Sequence, residues 1–195
     1  MKMKKRYLIL ILLILSFLSL FIGVSDISIK DIFQLTNKQW EILVIGRIPR
    51  LISILVSGAS LSIAGLIMQS LSRNKFVSPT TAGTMDFARL GILVAMMIFA
   101  SAGSLFKMFV AFVFALAGTF LFMNILEKIK FKDAIFIPLV GLMLGNIVSS
   151  IATFFAYQND LIQSMSSWLI GDFSIILKGK YELIYVSVPL LIIAY

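Results

Sequence analysis

The chain alternates long uncharged apolar stretches with short segments that carry charge. Five complete apolar runs and a sixth at the end of the sequence follow this pattern: Tyr7–Ser25, Leu51–Ser72, Leu90–Phe106, Met108–Leu126, Ala134–Asn159 and Leu183–Tyr195. Because an α-helix rises about 1.5 Å per residue, ~20 residues cross a ~30 Å hydrocarbon core. The complete runs reach that length once the third is extended back by a turn. The pattern predicts an all-α, polytopic transmembrane bundle that is truncated in its sixth helix.

The predicted membrane-spanning segments form a single transmembrane domain: residues 7–25, 51–72, 84–106, 108–126, 134–157 and an incomplete 183–195. Composition supports this class, because 60% of the residues are hydrophobic and 13% are charged, against roughly 25% charged in soluble domains. The chain has no cysteine and no histidine, which excludes disulfides, thiolate metal sites and imidazole-based catalysis. No metal site and no catalytic residue is predicted.

Basic residues predict how the chain is oriented. Lys2, Lys4, Lys5 and Arg6 precede the first span and favour a cytoplasmic N-terminus. Alternation then places more basic residues in the inner segments than in the longer outer ones. A basic start followed by an apolar run also describes a signal peptide. The run is long for that purpose and lacks a small-x-small cleavage pattern, so a retained first helix is favoured.

Two outer segments mix apolar and polar residues. They are Asp26–Glu41, which contains Trp40, and Tyr157–Tyr181, which contains Trp168. Both are too polar to span a bilayer and too apolar to be free loops. Each is predicted to contain a helix that lies at the membrane surface.

Small and polar residues fall at helical spacing within the spans. The second span carries Gly58, Ser62, Gly65, Gln69 and Ser72, and the fifth carries Gly141, Gly145, Ser149 and Thr153, with Asn146 and Ser150 beside them. Close packing of helix backbones explains most of these positions. Gln69 and Asn146 are predicted to face a partner or a water-lined path, because uncharged polar groups at membrane depth usually do so.

Asp86 and Arg89 are three residues apart near the start of the third span, close enough to pair on one helix face. A structural ion pair is favoured over a role in transport. Other functional signatures are absent from the sequence: it has no P-loop, no pair of carboxylates in mid-span and no potassium-filter repeat. These absences argue against ATP binding by this chain, against a proton- or sodium-coupled carrier and against a potassium channel.

The motif Arg47-Ile48-Pro49-Arg50-Leu51 begins the most specific part of the sequence. It continues with the small-residue stretch Gly58–Gly65, then Gln69 and Arg73-Asn74. This series resembles the permease family of type II ABC importers for iron-siderophores and vitamin B12, and Trp168–Phe173 resembles that family's Trp-x-x-Gly-x-Phe stretch. After Asn74 the chain departs from the commoner Pro-Leu-Ala. The variant is similar to the branch associated with catecholate-type siderophores such as petrobactin and anguibactin.

The resemblance implies a subunit of the plasma membrane that is not an enzyme and binds no cofactor directly. It would pair with a second permease subunit, with cytoplasmic ATPase subunits that use ATP, and with an extracytoplasmic siderophore-binding protein. The family's subunit has ten spans, and its ATPase-contacting loop lies beyond the sixth. This chain is therefore expected to be an N-terminal part that cannot couple hydrolysis to transport by itself. The alternative function is a secondary carrier or a membrane scaffold in which the polar stripes only serve packing.

The resemblance also implies two sites. Arg47 and Arg50 match arginines that pair with glutamates of the binding protein, and Pro49 suits the first turn of the second helix; anchoring to lipid phosphates is the alternative. Asn74 and Phe76 match positions that narrow the cytoplasmic end of the pathway in the vitamin B12 permease. A solvated turn is the alternative for these two residues.

Overall fold

The computed structural model describes residues 5–22, 36–129, 133–169, 188–189 and 191–193. Every regular element with defined bounds in these ranges is a helix: α1 (Lys5–Phe21), α2 (Asn37–Glu41), a π-helical segment (Ile42–Arg47), α3 (Ile48–Ser72), α4 (Thr84–Ile98), α5 (Ser104–Lys128), α6 (Phe136–Gln158) and α7 (Ile162–Leu169). No strand occurs in the described part of the chain. The predicted all-α class is confirmed.

Three helical stretches among the described residues are long and apolar enough to cross a membrane. They are Asn37–Ser72, Ser104–Lys128 and Phe136–Gln158. Helix α1 has 17 residues and α4 has 15. Helix α4 ends at Ile98, well before the predicted end at residue 106, because residues 99–103 form a turn. That turn carries no charge, so the apolar run continued through the break and concealed it. Most of the predicted sixth span, 183–195, lies outside the described residues.

The described residues of 1–59 and 172–195 form one compact unit. In this unit Pro49 lies in the first turn of α3, as predicted, but the helical stretch that leads into α3 already begins at Asn37, which the sequence did not predict. The Ile48 amide donates to the Leu43 carbonyl, five residues back, which is the π-helical pattern. A proline inside an α-helix removes one hydrogen bond and crowds the carbonyl four residues earlier. The wider turn just before Pro49 lets the helix continue through it.

The second compact unit is formed by Ser60–Gly171, and α4, α5 and α6 pack together in it. Helix α5 runs antiparallel to α4, since Thr84 contacts Thr119 (2.9 Å between hydroxyl oxygens) and Gly91 lies against Phe114 farther along. Helix α6 runs parallel to α4, because Gly83 lies against Gly141 at the start of both. These are the directions that helices would have if they crossed a membrane in turn.

Glycines permit the closest approaches in this unit. A β-carbon at Gly91 would lie 2.8 Å from Phe114 Cβ, and one at Gly118 would overlap the Phe87 ring. Helix α7 closes one end of the unit through Met165, which is fully buried in a cluster with Leu93 and two alanines of α6. Residues 162–169 of the second predicted surface segment are therefore helical and packed on α4 and α6, whereas 170–181 lie outside the described part. Of the first such segment, 26–35 lie outside it and 37–41 are helical.

Candidate functional site

The loop between α3 and α4 is held by Asn74, one of the two predicted gate residues. Asn74 is only 5% exposed. Its Nδ2 donates to the Ala134 carbonyl at 2.8 Å, and its Oδ1 accepts from the Phe76 amide at 2.9 Å. Both ends of the side-chain amide are therefore used within the chain. Phe76 is 66% exposed and forms an open apolar groove with residues that precede and begin α6: Ile135, Pro138, Leu139 and Leu142.

The rest of this loop is a compact turn that satisfies its own backbone. The Ser78 amide donates to Thr81 Oγ1 at 2.8 Å, and the Thr81 amide donates back to Ser78 Oγ at 3.2 Å. Val77 and Ala82 are fully buried, and Gly83 has a φ of 78°, which favours glycine. Backbone that is neither helix nor strand is tolerated at membrane depth only when it is buried in protein in this way.

This turn packs against two of the small residues that were predicted on α6. A β-carbon at Gly141 would overlap the Thr81 carbonyl oxygen, and one at Gly145 would overlap the Asp86 carboxylate. Gly141 and Gly145 are thus packing positions for the turn and for the first turn of α4. Sequence reasoning did not predict that Val77, Ala82 and Gly83 of this turn are buried. The serine, threonines and glycine of the stretch are typical of a turn, but they carry no information on what covers it.

Arg89 joins α4 to α6 by a hydrogen bond. Its Nη1 donates to Ser149 Oγ at 3.0 Å, while its Nε is buried without a hydrogen-bond partner. The predicted ion pair with Asp86 is not formed within the described residues. The absence of a side chain at Gly145 leaves room for the Asp86 carboxylate, and Ser149, one turn farther along α6, offers an acceptor to the arginine.

A polar cleft of about 410 Å³ lies along α6 and is lined by Asn146, Ser149, Ser150 and Thr153. The Ser150 hydroxyl donates to the Asn146 carbonyl, and the Thr153 hydroxyl donates to the Ser149 carbonyl, both at 2.8 Å. Asn146, Ser150 and Thr153 are exposed. Asn146 and Ser149, the two predicted pathway residues that line this cleft, therefore lie close together. Gln69, half-buried on α3, is not among the residues that line this cleft.

The two predicted docking arginines have different surroundings. Arg47 is half-buried at the end of the π-helical segment, and its Nη1 donates to the Leu20 carbonyl at 2.6 Å. Because Leu20 is in the last turn of α1, this contact satisfies a carbonyl that the helix end leaves unpaired. Arg50 is exposed in the first turn of α3. Of these two arginines, Arg50 is the more exposed.

The fold and these features define a polytopic α-helical membrane protein with a polar cleft along one helix and a half-buried arginine that is bonded to a serine of the cleft. A sequence profile of the FecCD transport family matches residues 11–195. The chain belongs to the FecCD transport family, and the family resemblance seen in the sequence is confirmed.

Among curated proteins, the chain is 67% identical to the petrobactin import system permease protein YclN of Bacillus subtilis over 193 residues, which cover 99% of this chain and 61% of that protein. It is 38% identical to the ferric-anguibactin transport system permease protein FatD of Vibrio anguillarum, over 91% of this chain and 56% of that protein. A vitamin B12 import system permease protein, BtuC of Vibrio cholerae, is 28% identical over 94% of this chain and 56% of its own length. The chain thus spans about three-fifths or less of these relatives.

A solved structure shares the fold. It is a chain of an ABC transporter assigned to the metal-chelate type and captured in an inward-facing conformation. The match has a TM-score of 0.62 at 24% sequence identity, and covers 86% of this chain and 51% of the solved one. At that identity the likeness establishes the fold alone.

Proposed function

We propose that this chain forms part of the membrane-spanning permease of an ATP-driven importer for iron-siderophore complexes of the catecholate type. The observation that carries the proposal is the 67% identity to a petrobactin import permease, maintained over 99% of the chain. The 38% identity to a ferric-anguibactin permease supports the same substrate class. The protein would lie in the plasma membrane with its N-terminus in the cytoplasm, because four basic residues precede α1's apolar run.

In such an importer, ATP hydrolysis, cargo delivery and passage through the membrane would be carried out by different subunits. The chain has no P-loop motif, so ATP would be hydrolysed by separate cytoplasmic ATPase subunits. The cargo would arrive on an extracytoplasmic binding protein, which we place at Arg50, with Arg47 beside it in the sequence. A second permease subunit would complete the path. The chain itself would provide a route through the bilayer and would carry out no chemical reaction.

The polar cleft of α6 supports a role in the path. An exposed Asn146 side chain and two exposed hydroxyl-bearing residues lie on a helix that is otherwise apolar enough to span the membrane. Facing lipid, an unpaired amide would cost several kcal/mol, on the order of the penalty for any unsatisfied polar group in hydrocarbon. We therefore place this face of α6 toward a hydrated path or a partner subunit. Gln69 remains a proposed pathway residue from α3.

The gate is proposed to be Phe76, positioned by Asn74. Asn74 holds the loop through its bonds to Ala134 and Phe76, so it is less suited to bonding with a second subunit. Phe76 is exposed and bulky, and it can exclude water from the narrow end of a path.

Phe76→Cys tests the gate. No cysteine occurs in this sequence. In an importer otherwise free of cysteine, a pair of permease subunits carrying this change is expected to crosslink in one nucleotide state and not in the other. Crosslinking would be followed by gel electrophoresis of inside-out vesicles with and without ATP. Lys75→Cys, an exposed neighbour, is the matched control. Equal crosslinking of Phe76→Cys in all nucleotide states would remove the gating role.

Uptake tests the proposed function. Deletion of the gene at its chromosomal locus is expected to reduce uptake of radioactive iron as ferric petrobactin by at least about tenfold, and uptake of a ferric hydroxamate complex should be unchanged. Restoring the gene should restore uptake. The proposed substrate would be excluded if a strain without another petrobactin permease took up ferric petrobactin equally well with and without this gene.

A further inference from the structure

Arg89 is a charged residue in a part of the bundle that otherwise has few charges. The stretches Met108–Leu126 of α5 and Ala134–Asn159, which includes α6, contain no charged residue. Asp86, on α4 itself, is the carboxylate nearest in sequence, and no ion pair joins the two within the described residues. The Arg89 Nε is buried without a partner, although Nη1 is bonded to Ser149. Part of the guanidinium is therefore shielded from solvent, and no carboxylate pairs with it within the described residues.

Packing alone gives no reason for a cation at this position. Apart from the Asp86 carboxylate, which lies against Gly145, the contacts between α4 and α6 include small or apolar groups such as Gly83 with Gly141 and Leu93 with Ala152. The hydroxyls of Ser150 and Thr153 bond to carbonyls of their own helix, so Ser149 could do the same without an arginine. Shielding part of a charged group from solvent without a directly bonded counter-charge costs free energy, and ionisable residues within membrane-spanning segments mark functional sites by default.

Ser149 connects the arginine to the polar cleft. Its Oγ accepts from Arg89, and the same residue lines the cleft with Asn146. Since the oxygen of Ser149 is engaged by the guanidinium, its hydroxyl hydrogen is left to donate into the cleft. The Asn146 amide offers two further N–H donors. The wall of the cleft thus presents hydrogen-bond donors with a positive charge behind them, an arrangement that suits an oxyanion.

We propose that Arg89, acting through Ser149 and together with Asn146, forms a recognition subsite for the anionic oxygens of the transported chelate. The inference rests on the proposed function. Catecholate arms bind Fe³⁺ through phenolate oxygens and leave the complex with a net negative charge, whereas three hydroxamates neutralise the ion. A fixed positive charge beside the path attracts the first kind of complex more strongly than the second, so Arg89 is a specificity-determining residue.

The test uses Arg89→Gln, Arg89→Lys and Ser149→Ala, each made at the chromosomal locus. Arg89→Gln is expected to lower initial uptake of a ferric catecholate siderophore at least tenfold, while Arg89→Lys, which keeps the charge, should stay within about threefold of the wild type. Ser149→Ala should cause a smaller loss than Arg89→Gln, because the charge remains. The control is Lys128→Gln, which removes an exposed basic residue at the end of α5 and should leave uptake unchanged.

Thermal melting of the purified importer in detergent separates recognition from a structural role. The ferric catecholate complex should raise the melting temperature of the wild type and not that of Arg89→Gln, and the unliganded Arg89→Gln protein should melt no lower than the wild type. Uptake by Arg89→Gln equal to the wild type, equal defects in the Gln and Lys variants, or a large fall in unliganded melting temperature for Arg89→Gln would each overturn the inference. If the wild type takes up no ferric catecholate, the proposed function fails, and the subsite then survives only if the complex still stabilises the wild type and not Arg89→Gln.

Discussion

Replacing Arg50, the proposed docking residue, by glutamate is expected to weaken docking of the proposed extracytoplasmic binding protein by about a hundredfold at low salt. Arg50 is exposed at the start of α3, and a guanidinium binds a carboxylate bidentately. Charge reversal converts attraction to repulsion, and losing a close charge pair typically costs 2–5 kcal/mol. The affinity of the purified binding protein for the importer in nanodiscs is the quantity to measure, and it should approach that of the wild type as salt screens both interactions.

Arg47→Glu is expected to act differently from Arg50→Glu. Arg47 donates to the Leu20 carbonyl in the last turn of α1, so its loss should loosen that helix end as well as alter docking. Lys38→Glu reverses an exposed charge on α2 and is the matched control, with little effect expected. A Glu→Arg change on the binding protein should partly restore the affinity for Arg50→Glu. Unchanged affinity for both arginine variants at low salt would identify these residues as membrane anchors.

Gly141→Val is expected to have the largest effect on stability. Besides overlapping the Thr81 carbonyl oxygen, a β-carbon at this position would lie 2.9 Å from Ala82 Cα and 2.9 Å from Phe122 Cε2. Two of these three atoms belong to the backbone of the buried turn, which cannot rotate away. Overpacking of this kind costs on the order of 3 kcal/mol or more, and the melting temperature in detergent should fall by about 10 °C. The folded protein recovered from membranes should fall with it.

The control for Gly141→Val is Gly65→Ala on α3. A β-carbon at Gly65 meets no atom within 4 Å, and alanine favours a helix over glycine by about 1 kcal/mol. This variant should therefore melt at the wild-type temperature or slightly above it. A Gly141→Val protein as stable as Gly65→Ala would show that the turn moves to make room, and that its burial against α6 contributes little.

The sequence predicted the helical class because charge interrupts apolar runs only at span ends, and that signal depends on composition alone. It could not predict the early end of α4, since the turn after Ile98 is as apolar as the helix itself. The helical start at Asn37 was missed for a related reason. Pro49 is typical of a first helical turn, and it does lie in the first turn of α3, but a π-helical turn joins α3 to the helix before it, and nothing local in the sequence specifies that turn.

Side-chain partners were the least predictable part of the site. The spacing of Asp86 and Arg89 allows an ion pair on one helix, but a glycine on a neighbouring helix provides room for one side chain and a serine bonds the other. Asn74 was assigned to a gate by resemblance, and its contact with Ala134 spans sixty positions of sequence. Such contacts depend on how segments distant in sequence pack together. The periodicity of residues along a single segment carries no information on that packing.

The shortness of α4 bears on how the protein is made. Fifteen residues extend about 22 Å, less than the ~30 Å hydrocarbon core, and two of them are charged. A charged residue opposes insertion by roughly 2.5–3.5 kcal/mol at a helix centre and by less near a helix end, and Asp86 and Arg89 lie in the first half of α4. Helix α5 follows after a five-residue connection (residues 99–103), is strongly apolar, and packs along α4 in the opposite direction. We therefore expect the translocation machinery to release α4 into lipid together with α5, as a helical hairpin. Asp86 and Arg89 would reach their final neighbours only after α6 has been synthesised.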